Sequence, residues 1–156
     1  MNKERLFTPL LVIIVTPVLA LSVMAWVVTD VEIMDKKEAR TRFIEARAIF
    51  GRLNPILKME KSGALSVAVE QHDFSRPRAN NLHILYWHAD NSTLAYTKVP
   101  IWLRMLKGPV SRYVLRSSGF DVGRLPLNAR QLELRGVSLL LDYTESSGNR
   151  LMLWIK

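Results

Sequence analysis

The chain of 156 residues has no cysteine, which removes disulfides, thiolate metal ligands and thiol nucleophiles together. It leaves the compartment open, because a cysteine-free domain is stable on either side of a membrane. Histidine is scarce: only His72, His83 and His88 occur. His83 and His88 are five apart in a strand-like stretch, so they point to opposite faces and cannot hold one metal. With no cysteine and no i, i+4 histidine pair, no zinc site is expected and no cofactor is implied. The seven glycines are scattered and build no phosphate-cradling loop. No serine sits in a Gly-x-Ser-x-Gly elbow. After Asp90 the only acids are Asp121, Glu133, Asp142 and Glu145. Asp142 and Glu145 flank a turn, which explains them better than acid–base chemistry. These absences point away from an enzyme, with an activity at an unrecognised site left as an alternative.

What the chain does have begins with residues 6–28, which carry no charge over 23 positions. At about 1.5 Å per residue, a helix of this length crosses a hydrocarbon core of about 30 Å. Backbone groups there must be satisfied internally, so the stretch is expected to be a transmembrane helix. Pro17 should kink it, and Trp26 lies at the depth of an interfacial aromatic. A cleaved signal peptide is the rival, with small-residue sites at Val18-Leu19-Ala20 and Val23-Met24-Ala25. Its apolar region would span only about 7–15 residues, so an uncleaved single-pass anchor is preferred. A very short basic N-terminus, residues 1–5, favours N-in and C-out, with the domain on the extracytoplasmic side. Lys36, Lys37, Arg40 and Arg42 beyond the apolar stretch argue the opposite way.

Residues 29–57 are expected to continue as an amphipathic juxtamembrane helix, with its body at 30–53. Ala39, Phe43, Ala46, Phe50, Leu53 and Leu57 recur at spacings of four and three, a seam like that of a coiled coil. Ile44 and Ile49 widen the apolar face, which favours packing on the protein's own domain over pairing with a second copy.

Residues 62–156 should form a small α+β domain with a mainly antiparallel sheet and short helices on one face. Residues 82–88 are apolar and aromatic on both faces, as in a central strand. Residues 93–99 return as its hairpin partner. Residues 65–70, 137–144 and 150–155 are further strands, the last two joined by a five-residue loop containing Gly148. Short helices are expected at 101–107, 110–116 and 127–134, the last capped by Asn128.

The formal net charge is +8, and residues 81–156 hold ten Lys and Arg against five Asp and Glu. Arg104, Lys107, Arg112 and Arg116, interleaved with Trp102 and Tyr113, form the most suggestive basic group. They could contact lipid headgroups, nucleic acid or an acidic protein, or simply form a solvated face. Next to a membrane, lipid is the preferred anion, and nucleic acid is disfavoured for a domain held outside.

Val99-Pro100-Ile101-Trp102-Leu103-Arg104-Met105-Leu106, Gly119-Phe120-Asp121, and Leu140-Leu141-Asp142 through Trp154 form a pattern. A strand runs into Val-Pro and short helices, then a strand–turn–strand ends at an aromatic-rich terminus. In this, residues 82–156 resemble a C-terminal module of bacterial envelope-stress and daptomycin-sensing surface proteins. The resemblance implies a membrane-associated envelope role and no catalytic residues. The reading is therefore a non-enzymatic single-pass envelope protein whose basic domain binds a protein partner or a lipid surface, as an assembly or stress-response component, with membrane lipid and a protein partner or a second copy as the expected partners. A cytoplasm-facing binder of anionic lipid or nucleic acid is the alternative.

Overall fold

The computed structural model describes residues 28–60, 62–68, 77–105 and 120–156. The elements are, in chain order, strand β1 (Val28–Ile33), helix α1 (Lys36–Ala48), β2 (Leu57–Met59), β3 (Leu65–Val67), β4 (Asn81–His88) and β5 (Thr93–Pro100). A 3-10 turn at Ile101–Met105 follows, then another at Val122–Arg124, helix α2 (Ala129–Arg135), β6 (Ser138–Thr144) and β7 (Arg150–Ile155). Five strands form one antiparallel sheet in the order β1-β5-β4-β7-β6, and β2 and β3 form a separate hairpin. The α+β class and the antiparallel sheet are as the sequence implies.

The two faces of β4 explain the layering. Successive side chains alternate across a sheet. Leu82 and Ile84 enter one core with Val99, Leu151, Leu153 and Ile155. Leu85 and Trp87 enter a second core with Leu94, Leu139, Met152 and Trp154. The first core is closed by the 3-10 turns, α2 and β2, through Ile101, Leu103, Val122, Leu132 and Leu57. The second is closed by α1 through Ala39 and Phe43, and beyond its end by Phe50. A register shift between Leu139 and Leu141 lets β6 serve both, Leu139 on the α1 side and Leu140 and Leu141 on the other.

Helix ends follow local chemistry. Asp35 caps α1 by accepting from the Glu38 amide at 2.7 Å. Asn128 and Gln131 form a reciprocal capping box on α2, with bonds of 2.9 and 2.8 Å. Gly136 ends α2 at a φ of 62°, a region that disfavours side chains.

The residues around α1 depart from expectation. The helix expected over 30–53 begins only at Lys36, and Val28–Ile33 is instead an edge strand of the main sheet. Asp30-Val31-Glu32-Ile33 alternates polar and apolar residues, and pairing with β5 rewards that period over a helical one. Val28, the last residue of the proposed apolar span, is thus the first residue of a strand, and residues 1–27 lie outside the described residues. Among the described residues no helix is long and apolar enough to cross a membrane. Nor is α1 a stalk separate from a domain beginning at 62: it covers one face of the sheet, so helices occupy both faces. Ala39, Phe43 and Phe50 of the seam are buried on this sheet, and Ala46 and Leu53 pack half-buried beside them. Leu57 leaves the seam for β2 and the opposite core, because the chain turns through Asn54-Pro55. The helix expected at 110–116 lies outside the described residues.

Phe43→Ala should cost about 3–5 kcal/mol in urea unfolding, because a fully buried ring at the helix–sheet contact is lost. Asn128→Ala should cost about 1 kcal/mol through the lost cap. A Phe43→Ala loss no larger than the cap loss would show that α1 is not an integral layer.

Candidate binding groove and sheet edge

Helix α1 is fastened toward one side of the sheet. Asp142 on β6 receives the Arg150 guanidinium at 3.1 Å and lies 3.7 Å from Arg47 of α1. Arg47 also donates to the Leu53 carbonyl at 2.7 Å, fixing the chain as it leaves the helix. The Arg150 guanidinium sits 4.6 Å from the centre of the Phe43 ring, a cation–π contact. One carboxylate thus bridges two cations that come from the helix and the sheet.

On the other side, toward β1 and β5, a groove of about 360 Å³ lies between α1 and the sheet. This is within the usual size of a small-ligand site. Leu85, Leu94, Tyr96 and Trp154 form its sheet wall, and Ala46 and Ile49 its helix wall. Asp30 and Glu32 of β1 and Glu45 of α1 bring three carboxylates to it against one cation, Arg42. Arg42 reaches Glu32 at 3.8 Å, both half-exposed. On a chain of net charge +8 this is a local excess of negative charge, which attracts cations.

Behind the groove, the His83 ring stacks on Trp154 with centroids 5.2 Å apart and planes 7° apart. Its Nδ1 lies 2.7 Å from the Tyr96 hydroxyl. Burial lowers His83 to about 4, assisted by the charges of Lys98 and Lys156. Burial also pushes the Tyr96 phenol up. A neutral ring beside a phenol that keeps its proton fits Tyr96 as donor to Nδ1. The arrangement orders the aromatic wall and holds no activated nucleophile.

The second feature is the outer edge of β1. Its inner edge pairs with β5 over six residues, and no described strand pairs with the outer one. Val31 and Ile33 lie on the face away from α1 and are 59% and 84% exposed.

The basic group named from the sequence is not assembled by the described residues. Arg104 lies in the 3-10 turn, and Lys107, Arg112 and Arg116 fall outside them. His83 and His88 do point to opposite faces: His83 stacks on Trp154, while His88 meets Tyr86 edge-on at 4.3 Å. Among the described residues no three metal-ligating side chains come together. The groove and the edge escaped sequence reasoning, although the alternation at Asp30-Val31-Glu32-Ile33 was a signal for the strand that builds both. Comparison with protein-family models, with curated proteins and with solved structures finds no match.

The His83 ring should remain neutral well below pH 6 in a histidine NMR titration and take up its proton only near pH 4. An unfolded chain protonates this histidine around 6.5, so it binds more protons than the folded chain between the two values. Stability therefore falls as pH drops through that window, and His83→Gln should flatten that fall. A midpoint near 6.5 in the folded protein would show a solvated ring.

Proposed function

We propose that this is a non-enzymatic, single-pass membrane protein of the cell envelope. Its N-terminal apolar segment anchors an α+β domain on the extracytoplasmic side, and that domain binds a protein partner close to the bilayer. One observation carries the reading: β1, with Val31 and Ile33 exposed and its outer edge paired by no described strand, begins immediately after the uncharged residues 6–27. An edge strand presents unpaired backbone groups, and proteins normally blunt such edges or use them for recognition. The resemblance of residues 82–156 to envelope-stress surface modules is consistent with this role.

A phosphatase fused after Lys156 should be active, and a fluorescent protein fused there should stay dark. The chain should remain with membranes after carbonate extraction. A photo-crosslinking residue at Ile33 should capture a protein, and one at the exposed Arg52 should not. Fluorescence without phosphatase activity would reverse the orientation and make Arg104, Lys107, Arg112 and Arg116 the first surface to test. A chain released by carbonate would remove the anchor.

A further inference from the structure

We infer that the outer edge of β1 accepts an extended segment of a partner protein in which basic and apolar residues alternate, adding a sixth strand to the sheet. This deepens the partner-binding reading above, but it does not depend on the anchor.

The argument starts from the pattern on β1. Asp30 and Glu32 pair with Tyr96 and Leu94 on the face that carries α1. Val31 and Ile33 pair with Ala95 and Thr93 on the other face. An added antiparallel strand must set each of its residues beside a β1 residue of the same face, because side chains alternate with period two. Its residues on the α1 side therefore lie beside two carboxylates, and those on the opposite side lie beside valine and isoleucine.

A second copy of this chain is the poorest occupant. From Asp30 to Ile33, acids stand at the even positions of β1 and apolar residues at the odd ones. Symmetric antiparallel pairing of β1 with itself keeps even beside even, so both registers that pair five of its residues set acid against acid, Asp30 against Asp30 or Asp30 against Glu32. Like charges directly opposed across strands destabilise the pairing. The acids thus protect the edge against self-association and leave it open to a strand of opposite charge.

The groove adds a second complementarity. Arg42 partly balances Glu32, whereas Asp30 and Glu45 have no ion pair among the described residues. A lysine or arginine on the added strand, beside Asp30, has a stem long enough to reach over the β1 backbone toward Glu45, with open groove volume to receive it. The main-chain ladder would supply affinity, and the alternation of side chains specificity.

The test uses the full chain in neutral maltoside micelles and three labelled, end-capped octapeptides. One alternates lysine and valine, one alternates glutamate and valine, and one has four lysines followed by four valines. Fluorescence anisotropy should show the alternating lysine peptide binding about tenfold or more tighter than either control. Asp30→Lys with Glu32→Lys should weaken it about tenfold, as two cross-strand ion pairs become repulsions. The β1 amides should gain hydrogen-exchange protection when it binds. Val31→Thr with Ile33→Thr, at exposed positions that leave the cores untouched, gives a second variant that should also weaken binding. Equal binding of the block peptide would mean adsorption by charge alone and overturn the inference. Equal binding of the glutamate peptide, no binding of any peptide, or a β1-dependent dimer in sedimentation would also overturn it. The two readings fail separately. Carbonate release would leave peptide binding standing, and failed peptide binding would leave the anchor standing.

Discussion

Burial of both faces of β4 is the constraint from which the rest of the architecture follows. A strand with one wet face needs one covering layer, whereas Leu82 and Ile84 on one side and Leu85 and Trp87 on the other need two. The chain supplies α1 for one side, and short helical turns with the β2–β3 hairpin for the other. The Arg47–Asp142–Arg150 contacts tie α1 to β6 and β7. The groove beside β1 and β5 is the space this placement leaves. The negative character of that space comes from Glu45 of α1 and from β1, whose acids Asp30 and Glu32 fall on the α1 side by the same alternation that exposes its valine and isoleucine.

Much of this was legible in the amino-acid sequence, for local reasons. Residues 82–88 and 150–155 are dense in apolar and aromatic side chains, and they pair with each other at the centre of the sheet. Asn128 followed by Gln131 announces a helix start, and the capping box is there. The seam from Ala39 to Leu53 was visible as a stripe, and it covers a core. The edge strand was obscured because its alternation is only four residues long and lies between an uncharged stretch and a good helix former. The groove could not be seen at all. Leu85, Tyr96 and Trp154 come from three strands, and the gap between them and α1 exists only once the helix has docked on the sheet.

His83 shows what a sequence leaves open about a titratable residue. Its spacing from His88 argues against a shared metal but does not say what the ring does. In the fold it is a flat, neutral filler between Trp154 and Tyr96, held far from its ordinary titration range by burial. The same packing gives the groove a rigid back wall, so its shape does not depend on the ionisation of that ring near neutral pH.

The position of β1 also has a mechanical meaning. A load transmitted along the chain from the N-terminal side reaches the described residues at Val28, the first residue of a strand that pairs with one described neighbour. Its bonds to β5 run perpendicular to the strand. A pull along the strand loads all six residue pairs at once and is resisted in shear, whereas a pull away from the sheet opens them one after another from Val28↔Lys98. The direction of tension, as much as its size, would decide whether β1 holds or peels, and a peeled β1 would open the groove along one whole side.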